Sequence, residues 1–273
     1  MSSCASRTRG FTTLAEFEGS ILRVNYPADR PIAVLTLDAP PLNIVTVPTR
    51  EHLSAVFREI EQNDAVRVVV IQAAGDQAFS SGGDIRAFLD ASPEYLSRLA
   101  EDVAAPERCS KPVIARLQGF TFGVGLEIAL ACDFRVAADT TVLALPEMRL
   151  GMIPGSGGTQ RVARLAGLGR AKDMILRARR IAAGEAHAWG LLTQVVPAQE
   201  LDRAVDSLVD EMLAFSPLAF HYAKTAINET LEGPLAMGLR LEGVMYGLLR
   251  TSEDFREGVD AFGTKRKPRF QGR

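Results

Sequence analysis

The first 137 residues predict strands that alternate with helices. Residues 21–26 and 31–37 are apolar or alternating stretches on either side of Pro27-Ala28-Asp29, a pattern typical of two paired strands and their turn. Residues 49–62 carry apolar side chains at helical spacing. Residues 66–73 are rich in β-branched side chains, as in a strand buried on both faces. This alternation predicts an α/β fold.

A unit of strand, glycine-rich loop and helix then recurs along the chain. Further strands are predicted at residues 113–117 and 134–137, and helices at about 85–108 and at 125–132. The glycine-rich loops lie at residues 75–84, 119–125 and 151–158. Because a glycine loop lets the backbone approach a ligand closely, these loops are the first candidates for a functional site.

The last quarter of the chain predicts helices only. Their apolar patterns are broken by Pro217 and Pro234 and cover residues 201–215, 218–231 and 235–262. We therefore expect three segments: a flexible tail at 1–12, an α/β core at 13–199 and a helical region at 200–273. The serine and arginine residues of the tail leave a short targeting peptide as the alternative.

Composition narrows the classes of protein. Of 273 residues, 47% are hydrophobic and 23% charged, which excludes a disordered chain, and the net charge of −2 argues against a general nucleic-acid binder. The three cysteines, Cys4, Cys109 and Cys132, form no zinc motif or disulfide framework and suit a reducing compartment. No stretch reaches the roughly 18 apolar residues of a membrane span. These features predict a cytoplasmic protein without membrane or nucleic-acid partners.

Two glutamates stand out beside the glycine loops. Glu127 lies in an apolar helical stretch after the second loop, where an ionised side chain is costly unless it has partners. Glu147 lies between an apolar strand and the third loop. The alternatives are a solvated face for Glu127 and, for Glu147, a salt bridge to Arg149 or Arg161. The first loop, with Gly82 and Gly83, could equally be a plain tight turn.

Taken together, these segments resemble the enoyl-CoA hydratase/isomerase family, also called crotonases. The motifs are FSSGGDI at 79–85, GxGxE at 123–127 and PExxxxMIPGxGGTQR at 146–161. AxxWGLLxxVV at 186–196 and FxxKRKP at 262–268 extend the likeness, which runs from about residue 31 to 269. One such loop is weak evidence, but three in order with both glutamates are specific.

The resemblance implies a fold, a substrate and a set of site residues. The fold would be a spiral of repeated ββα units with a helical C-terminal trimerisation region, giving a homotrimer or homohexamer. The substrate would be an acyl-CoA thioester. Gly83 and Val124 match the oxyanion-hole residues, and Glu127 and Glu147 match the two glutamates of hydratases. Residues that match those lying against CoA are Ala39, Pro41, Leu42, Gly83, Asp84, Ile85 and Arg86, with Phe262 and Lys265 reaching from a neighbouring subunit.

The chemistry of these residue types suits hydration of an α,β-unsaturated thioester. Negative charge develops on the thioester oxygen, so two fixed N–H donors stabilise the enolate. Two carboxylates can hold one water, one as base and the other, protonated, as donor of the α proton. We assign Glu127 as base and Glu147 as acid, although the reverse is open because coupled carboxylates share their protons. No metal or redox cofactor is required, and CoA is part of the substrate.

Several alternatives stay open at this point. Val124 replaces a usual glycine, and Pro40-Pro41 stiffens the early segment, so a cyclic dienoyl-CoA hydratase, an enoyl-CoA isomerase and a non-catalytic acyl-CoA-binding protein remain in view. A dinucleotide site is disfavoured because Ile128 occupies the third glycine position of its motif. The basic residues 265–267 fit a solvated end or a CoA phosphate contact better than nucleic acid. Acyl-pocket lining and core packing are equal interpretations for Phe88, Tyr95, Leu96 and Leu99.

Overall fold

The computed structural model describes residues 17–273, so the predicted tail at 1–12 lies outside the described residues. The strands are β1 Leu22–Asn25, β2 Ile32–Leu37, β3 Val68–Ala73, β4 Ala78–Ser80, β5 Val113–Leu117, β6 Phe120–Phe122, β7 Phe134–Ala138, β8 Val142–Ala144, β9 Arg180–Ala182 and β10 Gln194–Val196. The helices are α1 Val47–Glu61, α2 Pro93–Val103, α3 Ala105–Arg108, α4 Val124–Leu130, α5 Gly158–Ala166, α6 Leu168–Leu176, α7 Ala183–Ala188, α8 Leu201–Leu213, α9 Pro217–Asn228, α10 Leu235–Leu249 and α11 Glu253–Thr264.

The strands form two sheets, and the chain steps from one to the other at each turn of a spiral. The larger sheet has the order β1-β2-β3-β5-β7-β10 and is parallel except for the β1–β2 hairpin. The smaller sheet has the order β4-β6-β8-β9. The strands β3, β5 and β7 are each followed by a short strand of the smaller sheet and then by helical structure. The fold is therefore an α/β crotonase-like spiral of repeated ββα units, as predicted.

The larger sheet is buried on both faces, which explains the β-branched run near residue 70. Val69 and Ile71 pack into the core between the sheets, whereas Val68 and Val70 face α8. Because successive side chains of a strand point to opposite faces, an apolar layer on each side requires an apolar residue at nearly every position. The prediction of a strand buried on both faces is confirmed.

The C-terminal region is helical, as predicted, but the prediction of one continuous helix over residues 235–262 is wrong. The chain breaks residues 235–262 into α10 and α11, and the Ser252 side chain accepts a hydrogen bond from Phe255 N at the start of α11. Serine caps a helix in this way because its oxygen satisfies an N–H of the first turn. Residues 229–231 are a 3₁₀ turn rather than the end of α9.

Two of the four short strands of the smaller sheet lie where the sequence predicted glycine loops. Strands β4 and β6 have three residues each and fall within or beside those loops. The helix predicted through residues 85–108 is in fact a 3₁₀ turn at Arg86–Phe88 followed by α2 and α3. Pro93 and Pro106 explain these starts, since each occupies the first turn of its helix, where a missing N–H costs little.

Candidate active site

Two glycine loops meet at the ends of β4 and β6. Gly82 has φ +121° and Gly123 has φ +52°, conformations that L-residues with a side chain rarely adopt. A Cβ added to Gly123 would lie 3.4 Å from Gly82 Cα. Both positions therefore require glycine. Gly82 is needed for its backbone angle, and Gly123 is needed for its backbone angle and for the close approach of the two loops.

The loops leave two N–H groups without a protein acceptor. Val45 N donates to Gly82 O, and Val45 O accepts from Asp84 N. The N–H of Gly83, which lies between them, therefore points away from the Val45 segment. Val124 is the first residue of α4, where a helix has no internal acceptor for an N–H. Within residues 17–273, neither N–H donates to a backbone or side-chain acceptor.

The core accommodates the Val124 side chain. The Val124 side chain is only 3% exposed and belongs to the main apolar cluster. Its Cγ1 lies 3.6 Å from the point that a Cβ on Gly83 would occupy. The valine therefore narrows the space beside Gly83 while leaving its own N–H free.

Glu127 is buried and held by the third glycine loop. It is 2% exposed, and its Oε1 accepts hydrogen bonds from Ser156 N at 2.7 Å and Gly158 N at 2.9 Å. A Cβ on Gly158 would lie 2.9 Å from Leu145 Cδ1, 3.0 Å from Pro154 Cβ and 3.1 Å from that same oxygen, so a side chain here would crowd the carboxylate and its surroundings. The alternative of a solvated Glu127 is wrong.

Glu147 is only half-buried, yet one of its oxygens has no partner. It begins a 3₁₀ turn at Glu147–Leu150, and its Oε1 lies 3.0 Å from the Cβ position of Gly123. Its Oε2 is buried without a hydrogen bond from any described residue. The alternative salt bridges are wrong, because Arg149 donates to Ala178 O and Arg161 pairs with Glu107.

Burial shifts the ionisation of both carboxyl groups. Burial, reinforced by the charge of Glu127, raises the pKa of Glu147 to about 7. Burial also raises the pKa of Glu127, but the N–H donors of Gly158 and Ser156 and the charge of Arg50 oppose the rise. Two carboxyl groups with raised pKa values thus lie beside the glycine loops, two of which carry the free N–H groups. This arrangement suits proton transfer beside a developing oxyanion.

A model of the enoyl-CoA hydratase/isomerase family matches residues 28–273. The chain belongs to this family. It is 38% identical to the protein YngF of Bacillus subtilis over 246 residues, 88% of this chain and 95% of YngF. The carnitinyl-CoA dehydratase of Salmonella typhi is 35% identical over 254 residues, 89% of this chain and 96% of the dehydratase. The crystal structure of an enoyl-CoA hydratase from Bacillus anthracis matches with a TM-score of 0.86 at 34% identity, covering 93% of this chain and all of the hydratase.

The protein is thus a crotonase-type enzyme, and two of its predicted CoA-binding segments lie side by side. Ser81 N donates to Leu42 O at 2.9 Å, which joins the segment of Ala39, Pro41 and Leu42 to the first glycine loop. Asn43, buried beneath it, donates to two carbonyl groups and accepts from Ala39 N at 2.9 Å. Beyond the loop, Arg86 N donates to Asp84 Oδ1, and the Ile85 side chain is exposed.

Other residues predicted for the crotonase site lie elsewhere in the described chain. Phe262 is 89% exposed and lines a cavity of about 430 Å³ with Tyr246 and Phe270, among residues that include neither glutamate. Lys265 ends α11 with φ +54°. Their predicted role from a neighbouring subunit stays a prediction. In the basic segment at 265–267, Arg266 lies beyond the end of α11 and pairs with Glu257 and Asp260 of that helix.

The apolar residues between the first two loops were predicted either to line the acyl pocket or to pack in the core, and the structure separates them. Leu99 is buried, whereas Tyr95 is exposed and donates to Glu51 Oε1. Phe88 stacks under the Arg50 guanidinium, whose carbon lies 5.3 Å from the ring centroid, and is 3.7 Å from the Cβ position of Gly83. Of the residues left open, Phe88 therefore contacts the site.

Sequence reasoning missed Arg50 and Ser156. Arg50 Nη1 donates to Ser156 Oγ at 3.1 Å, and its Nη2 lies 2.9 Å from the Cβ position of Gly83. The sequence did contain a signal: Arg50 precedes Leu53 by three residues and so falls on the apolar stripe of α1. A charged residue on the buried face of a helix is a candidate functional residue.

Among the residues that the structure describes, no cluster of three metal-ligating side chains is present. Within the same residues, no helix has the length and apolar character needed to cross a membrane.

Proposed function

We propose that the enzyme hydrates an α,β-unsaturated acyl-CoA thioester to the 3-hydroxyacyl-CoA. The observation that carries the proposal is the unequal environment of the two glutamates. Glu127 Oε1 accepts two backbone N–H groups, which stabilise a carboxylate, whereas Glu147 Oε2 has no described partner and its pKa is about 7. The pair thus provides a base and an acid at neutral pH.

In the proposed reaction, the thioester oxygen accepts hydrogen bonds from the N–H groups of Gly83 and Val124. Glu127 removes a proton from water as the oxygen bonds to Cβ, and electron density moves through Cα to the thioester oxygen. Glu147 then delivers its proton to Cα as the enolate collapses, so hydroxyl and hydrogen are added across the double bond. The same groups run in reverse would dehydrate a 3-hydroxyacyl-CoA, the direction named for the similar carnitinyl-CoA dehydratase.

CoA recognition is proposed for the joined segments beside the first loop. Ala39, Pro41 and Leu42 lie next to Gly83, Asp84, Ile85 and Arg86, and an extended CoA chain could follow this strip to the thioester. Phe262 and Lys265 would complete the site from a second subunit, which requires the homotrimer or homohexamer expected of the family.

The test is the loss of conjugated-enoyl absorbance with crotonyl-CoA, a longer 2-enoyl-CoA and a cyclic dienoyl-CoA, with products identified by mass. We expect a product that gains one water, and deuterium at Cα when the solvent is D₂O. If the double bond migrates and the product gains no mass, the enzyme is an isomerase and not a hydratase. Saturable CoA binding with no product from any substrate would support the non-catalytic alternative.

Glu127→Gln and Glu147→Gln test the assignment of the two carboxyl groups. Each is expected to reduce kcat by about 10²–10⁴-fold, the usual contribution of a general acid or base. CoA affinity, measured by calorimetry, should survive because neither side chain is proposed to contact CoA. Glu211→Gln, an exposed change on α8, is the matched control. Full activity in either site variant would remove that residue from the reaction.

A further inference from the structure

Arg50 is a buried cation without a carboxylate in contact. It is 5% exposed and projects from the first turns of α1, on the same face as Leu53 and Phe57. Taking a guanidinium out of water is costly unless ion pairs or hydrogen bonds compensate for the lost hydration. Within residues 17–273, Arg50 takes part in no salt bridge, and its Nε is buried without a hydrogen-bond partner.

A second buried arginine shows what a purely structural role looks like in this chain. The Arg135 guanidinium donates to three carbonyl oxygens, those of Leu191, Ala129 and Cys132. Arg50 makes one hydrogen bond, to Ser156 Oγ, and otherwise rests on the Phe88 ring. The surroundings of Arg50 therefore hold the guanidinium in place but satisfy few of its N–H donors.

Ser156 connects Arg50 directly to Glu127. Its Oγ accepts from Arg50 Nη1 at 3.1 Å, while its backbone N donates to Glu127 Oε1 at 2.7 Å. The other cation near Glu127 is Arg161 on α5, which is committed to Glu107 at 2.5 Å and to Ser156 O. Arg50 is therefore the cation near Glu127 whose charge is not taken up by an ion pair in the described chain.

We propose that Arg50 is a positioning residue: through Ser156 and through its own charge it keeps Glu127 as the carboxylate, so that the proton shared by the pair stays on Glu147. The inference rests on the proposed function and deepens it. It identifies the group that decides which glutamate is base and which is acid, a choice that the motifs leave open.

The surrounding charges support this assignment. The negative groups whose charges act on Arg50 are Glu127 and Glu147 of the site and Asp102 and Tyr95 of α2. Glu127 is faced by Arg50, by Arg161 and by Glu147. Burial raises the pKa of both glutamates, and the charge of Arg50 lowers the pKa of both. Only Glu127 is also joined to Arg50 through Ser156 and held by two N–H donors, and its carboxylate in turn raises the pKa of Glu147. Without Arg50, the desolvated Glu127 would compete for the shared proton.

The test compares Arg50→Met, Arg50→Lys and Ser156→Ala in the full-length enzyme, with Arg116→Met on β5 as a matched control. In Arg50→Met we expect kcat for hydration to fall by about 10–100-fold with little change in KM. The acidic limb of the pH profile should move up by about one unit, because an opposite charge at short range shifts a pKa by about 1–3 units. In Arg50→Lys the acidic limb should lie close to its position in the parent enzyme. In Ser156→Ala it should lie between the positions in the parent and in Arg50→Met.

Isotope-edited infrared spectra of the carboxyl groups provide a readout that needs no substrate. At pH 6 the protonated-carboxyl band of the parent should disappear in Glu147→Gln. In the Arg50→Met background, the band should instead disappear in Glu127→Gln. The parent enzyme could show no hydration of any substrate while the carboxyl bands still disappear in these two variants. In that case the proposed function fails and the role of Arg50 stands.

Three results would overturn the role of Arg50. One is an active parent whose acidic limb and carboxyl bands are unchanged in a folded Arg50→Met variant. Another is a rise in KM with unchanged kcat, which would make Arg50 a substrate contact. Equal impairment of Arg50→Lys and Arg50→Met with an unmoved limb would indicate a packing role alone. If Arg50→Met does not fold, the lysine and Ser156→Ala variants decide.

Discussion

Glu147 occupies an environment that stabilises its neutral form. The unpartnered Oε2 and the neighbouring Glu127 both disfavour a second negative charge. The same placement that makes this carboxyl a proton donor near pH 7 therefore destabilises the folded enzyme once the group ionises. Function and stability oppose each other at this residue.

Glu147→Gln should stabilise the fold increasingly as pH rises. The unfolded chain loses this proton near pH 4.5 and the folded chain near pH 7, so between these values the native state binds more protons and stability falls with pH. The glutamine variant avoids this loss. We expect a gain in Tm of about 2–4 °C at pH 8, about 1 kcal/mol after allowance for solvent screening, and almost none at pH 4.5. Thermal unfolding at both pH values checks this, and an equal gain at both would contradict it.

At the residue scale, both glutamates could be identified from the sequence, but the residues that contact them could not. Glu127 and Glu147 are visible because each stands alone in apolar surroundings beside a glycine loop. Arg50 was missed because the apolar stripe of its helix was counted from Leu53 onward. The bond between Ser156 and Arg50 joins residues 106 positions apart, and no local pattern encodes such a pairing.

Helix α9 is attached to the α/β core by a buried ion pair. Lys224 Nζ donates to Asp133 Oδ2 at 2.8 Å and to the carbonyl oxygens of Pro106 and Lys111. Asp133 also accepts from Val113 N, at the start of β5. One ammonium group thus joins the helical region to the beginnings of two core strands.

Lys224→Met should destabilise the enzyme by about 3–5 kcal/mol, since it leaves Asp133 buried without its cation. Asp133→Asn combined with Lys224→Met should recover part of this loss, because no uncompensated charge remains. Chemical denaturation of the single and double variants measures the coupling. A single variant with parental stability would show that solvent reaches Asp133 and that the pair contributes little.

At the element scale, long strands and helices were predictable, whereas the smaller sheet was not. A three-residue strand such as β4 or β6 has too few positions for a periodic pattern, and the glycines beside it indicate a loop. The spiral arrangement came from the resemblance to crotonases, not from periodicity. The break between α10 and α11 was missed although the sequence carries a signal for it. The five residues at 250–254 are polar, and Ser252 followed by Glu253 and Asp254 is typical of the start of a helix.

The C-terminal helices expose much apolar surface in the single chain. The large apolar side chains that are more than half exposed in this region are Ile227, Leu235, Met237, Leu239, Val244, Tyr246, Leu248, Val259 and Phe262. Surfaces of this kind on a soluble protein commonly mark contacts between subunits. They support the trimerisation predicted for residues 200–273.

Light scattering of the purified protein should therefore give three or six chain masses. Leu235→Asp combined with Met237→Asp should lower the mass, because charges in an apolar interface are costly to bury. Enoyl-CoA affinity should fall in parallel if Phe262 and Lys265 act across subunits. A monomeric parent enzyme with full affinity would contradict both the assembly and the shared site.

The ion pair of Lys224 and Asp133 also sets an order of events during protein synthesis. Asp133 leaves the ribosome 91 residues before its cation, Lys224. A nascent chain that already contains both glutamates and all three glycine loops therefore holds the Asp133 carboxylate without its cation until α9 has been translated. The enzyme's core is complete only when its last quarter has emerged.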